Sequence, residues 1–249
     1  MVLYDQPQIK PNGDSGLRIA FGDERTIRVN RRVRKLAHMI QSAALSGVTE
    51  LIPTYASLTV LYDPLQVNYV NLVEYLQPFL KEALRASAEE ESSRLLIVPV
   101  SYEGEYAPDM SYVCDYTKLQ PEMVIALHTA EPYYVFQLGF TPGCPFIGPL
   151  QEVLHVPLME TPRTFTPMGA VAISIGQTVI YPKATPGGMR IIGRTPVKLF
   201  QLDHPALTLF RPGDRVLFRA VSQAEYLAIE EEAVELMMGV EVREVRRDA

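Results

Sequence analysis

Residues 139 to 149 read Gly-Phe-Thr-Pro-Gly-Cys-Pro-Phe-Ile-Gly-Pro, and they constrain the fold more than any other stretch of the chain. Proline fixes φ and removes a hydrogen-bond donor, while glycine opens φ > 0. Three of each in eleven residues exclude a helix and a central strand. The run Tyr134-Val135-Phe136-Gln137-Leu138 before them alternates as a strand does. A strand therefore empties into a stiff loop that still carries Phe140, Phe146 and Ile147, and such loops on a scaffold are where binding residues collect.

The stretch upstream has a different rhythm. Leu17, Ile19 and Phe21 alternate as a half-buried strand. Asn30 can cap a helix carrying Val33, Leu36, Ala37, Ile40 and Ala44, with Gly47 as its stop. Strands at 48–52 and 58–62 flank a Pro53-Thr54 turn, and a second amphipathic helix uses Leu72, Leu76, Phe79, Leu80 and Ala83. The acidic run 86–94 is a helix tail or linker, and 95–100 is an apolar strand. The order strand, helix, strand, strand, helix, strand is the split βαβ pattern. The expectation is a small α+β domain over residues 1–94, the last strand being equally able to open the next domain.

From 95 to 249, short β-type runs alternate with Pro/Gly turns: 134–140, 171–175, 178–181, 190–193, 197–200 and 215–220. Short helices can begin at Pro108 and Pro121. This spacing predicts a closed or sandwiched antiparallel sheet. A terminal helix over 223–238 and a strand-like tail over 240–245 complete the pattern.

Charge and motifs remove whole classes of function. A net charge of −6 argues against nucleic acid, which needs a basic surface. The one basic cluster, Arg28, Arg31, Arg32, Arg34 and Lys35, reads as a solvated helix face. No apolar run approaches the length of a membrane span, and residues 1–10 lack the apolar core of a secretory leader. The two cysteines, Cys114 and Cys144, form neither a disulfide framework nor a metal pattern, which suits a reducing cytoplasm. There is no G-x-x-x-x-G-K-S/T phosphate loop, no H-E-x-x-H, and no G-x-S-x-G nucleophile elbow. His38, His128, His155 and His204 are scattered, so no metal is expected.

Two further motifs make the Gly/Pro loop recognisable. One is Thr161-Pro162-Arg163 followed by Ile175-Gly176-Gln177-Thr178-Val179-Ile180-Tyr181-Pro182. The other is Thr185-Pro186-Gly187-Gly188-Met189-Arg190-Ile191-Ile192-Gly193-Arg194-Thr195-Pro196. In this order, from Gly13 to Val216, they resemble the family of the 5-oxoprolinase B subunit, which includes the kinase inhibitor KipI and is also called allophanate hydrolase subunit 1. The split βαβ order makes the first domain ferredoxin-like, and the resemblance implies that a cyclophilin-like β-barrel follows it.

It also implies one component of an ATP-dependent 5-oxoprolinase, which opens 5-oxoproline to glutamate. The chain would act with a homologous larger partner (allophanate hydrolase subunit 2, or the 5-oxoprolinase C subunit) and with a third component, the 5-oxoprolinase A subunit. ATP is then a co-substrate of the complex, not clearly bound by this chain. The alternative is a KipI-like inhibitor that docks on a sensor histidine kinase. Cyclophilin likeness alone implies no prolyl isomerase activity.

The candidate residues sit on Pro/Gly frames. His128 ends Val124-Ile125-Ala126-Leu127, where the family also has His; it either exchanges protons or simply closes a helix C-terminus. The resemblance makes it the catalytic candidate. Gln177 offers an amide suited to a lactam or urea-like group, or a backbone contact at a strand end. Tyr181 is a pocket wall or a core phenol. Arg163 and Arg194 can hold a carboxylate, or form ordinary salt bridges.

Phe140, Pro142, Gly143, Phe146, Pro186, Gly187 and Gly188 form the interface or pocket loops. Cys144, where the family has an aromatic residue, reads as packing, because no basic partner stands near it in sequence. Ile175 replaces a family glycine, and Met189 replaces a family tryptophan. His128, Gln177 and Arg194 are expected to converge on one cleft of the C-terminal barrel.

Overall fold

The computed structural model describes residues 3–85, 93–233, 235 and 238–245. Contacts divide the chain into two compact units, residues 1–90 and 91–249.

The first unit runs β1 (Leu3–Pro11), β2 (Gly16–Gly22), α1 (Ile27–Ala43), β3 (Val48–Pro53), β4 (Ser57–Tyr62) and α2 (Tyr69–Leu84). Its antiparallel sheet has the order β1-β2-β4-β3. Leu17, Ile19 and Phe21 are fully buried, as alternation requires, and share one core with Val33, Leu36, Ile40, Leu72 and Leu76.

Helix α1 starts earlier than expected. Thr26 is its N-cap, accepting from the Val29 N–H, and Asn30 lies inside the helix. Fully buried, Asn30 donates through Nδ2 to the Thr54 and Tyr55 carbonyls at 3.0 and 3.2 Å. It ties the helix to the β3–β4 turn instead of starting it. The helix stops at Ala44, which itself adopts φ 45°, so Gly47 is not the stop. Arg32 is buried, so the basic face is not wholly solvated.

The apolar strand expected to close this sheet does not. It is β5 (Ser93–Val100), and it belongs to the second unit's sheet. The edge beside β2 is occupied by β1, an N-terminal strand that the residue pattern did not announce. Residues 86–92 of the acidic run lie outside the described residues.

The second unit continues with α3 (Met110–Thr117), α4 (Pro121–Thr129), β6 (Tyr133–Leu138), β7 (Pro145–Gly148), β8 (Arg163–Thr166), β9 (Ala170–Ser174), β10 (Gln177–Ile180), β11 (Thr185–Gly187), β12 (Arg190–Arg194), β13 (Arg215–Ala220), α5 (Gln223–Glu232) and β14 (Glu241–Val245). Eight strands form one sheet in the order β12-β9-β10-β7-β6-β13-β5-β14, and β8 and β11 pair as a separate ribbon. Reciprocal hydrogen bonds of 2.9 Å between Ser101 and Arg194 join the chain just past β5 to the end of β12, so the sheet curls back on itself. The fold is mixed α/β with a curled half-barrel sheet.

Four expectations are corrected here. The sheet is not purely antiparallel: β5 and β13 pair in parallel from Leu95↔Arg215 to Val100↔Ala220. Residues 197–200 form no strand beyond a single bridge at Phe200. Helix α5 ends at Glu232, six residues short of the expected end, and residues 234, 236 and 237 lie outside the described set.

Most instructive, residues 145–148 are a central strand, β7, between β10 and β6. Phe146 and Ile147 carry the ladder to Val179 and Thr178 on one side and to Gln137 and Val135 on the other. Pro145 opens the strand and Pro149 follows it, so neither proline interrupts the ladder.

Candidate functional site

The strands β12-β9-β10-β7-β6 have two unlike faces. One packs Val135, Ile147, Val171, Ile173, Ile180 and Ile192 into the large core. The other carries a small cluster of Ala170, Ala172, Val179, Tyr181, Ile191 and Cys144, with Phe146 and Met189 against it.

His128 belongs to the core face. It sits in the last turn of α4, as the sequence suggested, and is fully buried. Its ring stacks on Phe218 with centroids 4.4 Å apart. Nδ1 lies 2.8 Å from the Tyr102 hydroxyl and Nε2 lies 3.2 Å from Thr178 Oγ1. Thr178 donates its own proton to the Ala172 carbonyl at 3.2 Å, so its oxygen accepts from Nε2–H. Nδ1 then accepts from Tyr102, which fixes the neutral tautomer. Burial lowers the pKa of His128 to about 3 and raises that of Tyr102, which keeps both uncharged. Every polar atom in this network is matched.

Gln177 and Tyr181 belong to the opposite face. Strand alternation places Gln177, Val179 and Tyr181 on one side of β10 and Thr178 and Ile180 on the other. Burial raises the pKa of Tyr181, and a backbone hydrogen bond from Met189 and the charge of Arg163 oppose that rise.

Gly187 of β11 stands where any Cβ would come within 2.5 Å of the Tyr181 hydroxyl, so only glycine allows the ribbon this close. Pro186 is exposed beside it, and Gly188 lies against Pro162. Gly143, at φ 80°, packs on Leu199 and Phe200, and Pro142 beside it is exposed. Phe140 takes φ 67° and stands 66% exposed, edge-on to the Tyr181 ring with centroids 6.4 Å apart. Burial pushes the Cys144 thiol up to about 12, which fits packing and not nucleophilic attack.

Arg163 opens β8, the partner of β11, and forms an ion pair with Asp109. Asp109 also accepts from the Ile191 N–H at 2.6 Å, and Arg163 reaches the Met189 carbonyl at 3.4 Å. The carboxylate thus holds the ribbon to β12. The sequence showed Asp109 only as a residue after Pro108; it makes no helix-cap bond, and its role depends on residues 54 and 82 positions away.

Arg194 lies at the far end of β12, donating to the Met168 carbonyl at 2.9 Å, with its guanidinium 5.9 Å from the Tyr106 ring. It pairs with Ala170 and Gln177 pairs with Ser174, so the two are separated by most of β9, roughly 13 Å at the usual strand rise. The structure therefore groups Tyr181, Arg163, Phe140 and Gly187, and puts Gln177 on the same face. It does not bring His128 or Arg194 to them. Among the described residues, no group of three His, Cys, Asp or Glu side chains could hold a metal, and no helix is long and apolar enough to cross a membrane.

A family model described as carboxyltransferase domain, subdomain C and D, matches residues 7–210. A Bacillus subtilis protein, named as the B subunit of 5-oxoprolinase, is 40% identical over 235 residues, 91% of this chain and 98% of that protein. The protein of the same name from Escherichia coli O157:H7 is 36% identical over 193 residues, 78% of this chain and 86% of that one. The solved urea carboxylase of Kluyveromyces lactis superposes with a TM-score of 0.80 at 20% identity. That match covers 98% of this chain and 25% of that one, and it speaks to the fold alone.

Proposed function

We propose a function from one premise: this chain belongs to the carboxyltransferase-domain family, subdomains C and D, together with proteins named as 5-oxoprolinase B subunits. It is one component of an ATP-dependent 5-oxoprolinase and works with a homologous larger partner, the 5-oxoprolinase A subunit being the third member. The observation that carries this reading is the 40% identity across 98% of a 5-oxoprolinase B subunit. We read the first unit as ferredoxin-like with its fourth strand replaced by β1, and the second as cyclophilin-like.

A lactam is a resonance-stabilised amide, so water opens it slowly at neutral pH. Phosphoryl transfer from ATP supplies the activation, and the lack of a phosphate loop in this chain fits a partner that binds the nucleotide. This chain's part is to hold the ring. Tyr181 and Gln177 line the face, Arg163 is kept in place by Asp109, and Phe140 with Pro142 and Gly143 forms the rim. Pro186, Gly187 and Gly188 bring the ribbon close. Arg194 lies at the margin of this face. His128 acts as a positioning residue, since its hydrogen bond to Thr178 sets the strand that carries Gln177 and Tyr181.

The test is reconstitution. Glutamate release from 5-oxoproline and ATP is expected from this chain mixed with the other components and not from the chain alone. An intact complex that releases no glutamate overturns the reading.

A further inference from the structure

The first residue of β12 carries a cation that stands without a carboxylate among the described residues. Arg190 pairs with Ile173 across the ladder, and Ile173 packs into the large core. Cross-strand neighbours share a face, so Arg190 leaves the strand on the side opposite Tyr181. Standing at the strand end, it runs out to α3, where its guanidinium carbon lies 3.5 Å from the centre of the Tyr112 ring. Tyr116, one turn further along α3, stacks on Tyr112 with centroids 6.2 Å apart and planes at 17°. The two rings are 36% and 55% exposed. An arginine and two tyrosines thus form an ordered stack on an open helix surface.

The charge on this stack is unbalanced. Nε of Arg190 is buried with no hydrogen-bond partner. Among the described residues neither terminal nitrogen has a partner, and neither is enclosed as Nε is, so both open to solvent. Asp109, which accepts from the neighbouring Ile191 N–H, is taken by Arg163. Asp115, on α3 itself, forms no ion pair with Arg190. Two guanidinium groups therefore share one carboxylate, which leaves a surplus positive charge. Stacking on an aromatic face holds the planar fork in one orientation. Its ordering cost is met before anything binds, which favours association. A fork so held matches a carboxylate through two parallel hydrogen bonds.

We propose that Arg190, held on Tyr112 and Tyr116, is a docking anchor for an aspartate or glutamate side chain of the larger partner. This inference rests on the reading of the chain as a 5-oxoprolinase component and adds a contact point to it. Charge and shape select this occupant. The unpaired cation calls for an anion. Tyrosines exposed on the outside of a helix suit a protein surface, whereas a small ligand takes a concave pocket. Tyrosine and arginine are also the residue types that concentrate binding energy in protein interfaces.

The experiment measures the affinity of the chain for the larger partner by calorimetry at low and high salt, beside glutamate release from the complex. Arg190→Met removes the charge and keeps an unbranched stem. Arg190→Lys keeps the charge and loses the fork. The second variant also brings a primary amine to the site, so a carbodiimide can couple it to an adjacent carboxylate, which peptide mapping then identifies.

Arg190→Met is expected to weaken binding by about 30-fold or more and to flatten its salt dependence. Arg190→Lys should recover only part of the loss, and its cross-link should run from position 190 to an aspartate or glutamate of the larger partner. Unchanged affinity in a folded Arg190→Met chain, or no cross-link from position 190, overturns the anchor; the 5-oxoprolinase reading stands if that complex still releases glutamate. Arg190-dependent binding in a wild-type complex that releases no glutamate does the reverse. Acetate and 5-oxoproline, titrated into the free chain by NMR, test the other source of a carboxylate. If they shift the Tyr112 ring signals while partner affinity ignores Arg190→Met, the stack takes a free carboxylate and the docking anchor falls. Failure of the wild-type chain to bind the larger partner overturns both readings.

Discussion

The two faces of one sheet carry different side chains, a buried polar network on the core side and a small, mostly apolar cluster on the other. On the core face His128, Tyr102 and Thr178 form a closed chain of hydrogen bonds ending on the Ala172 carbonyl. On the far face the packing is mostly apolar, with Ala170, Ala172, Val179, Tyr181 and Ile191, and the register shift adds Gln137 beside Phe146. The difference teaches that a buried polar residue such as His128 serves the fold when each of its polar atoms is matched. A matched network has spent its hydrogen-bonding capacity on the fold.

The strongest way to break this contrast is His128→Ala. It removes a stacked ring and leaves the Tyr102 hydroxyl without its acceptor. Unfolding free energy by denaturant titration should fall by about 3–5 kcal/mol. A loss below about 1 kcal/mol together with abolished turnover would return His128 to a direct chemical role.

Next comes Asp109→Ala, which takes the anchor from Arg163 and from the Ile191 N–H. Since Arg163 keeps some solvent contact, the expected cost is smaller, about 2–3 kcal/mol. Faster hydrogen exchange at the Thr185 and Gly187 amides should accompany it, because the ribbon they form loses its tie to β12. Unchanged exchange there would remove Asp109 from the far face.

The third test is pH. The unfolded chain's histidine titrates near 6.5, whereas folded His128 takes a proton only near 3. Between those values the unfolded state binds more protons, so stability falls as pH falls. The His128 contribution is about 1.4 kcal/mol per pH unit. The stability it supplies is fully present above 6.5 and lost as pH drops toward 3. The slope should vanish in His128→Gln, and its persistence would assign the effect to other groups.

The smallest change in stability is expected for Phe140→Asp, within about 0.5 kcal/mol, since the ring is mostly exposed. The same variant should weaken assembly with the larger partner, measured by calorimetry. Unaltered affinity would take the rim of the far face out of the interface.

Much of this was legible along the chain because it is local. The alternation of Leu17, Ile19 and Phe21, the helix beginning at Pro121 and the strand 215–220 all come from neighbours a few residues apart. Local cues also misled where pairing decided the outcome. Gly/Pro punctuation hid β7, whose Phe146 and Ile147 draw partners from strands on both sides. The strand 95–100 showed its apolar character but not its sheet, because its partner β13 lies about 120 residues on.

By itself the sequence determined the family motifs, the elements with a clear period, and the residue types available for chemistry. Tertiary structure alone decided which face each residue serves. Consecutive residues of a strand point to opposite sides, so Gln177 and Thr178 part company although they are neighbours. A single register shift moves Gln137 from the core side to the other. Facing is a property of pairing and packing across long separations, and no local pattern in the chain encodes it.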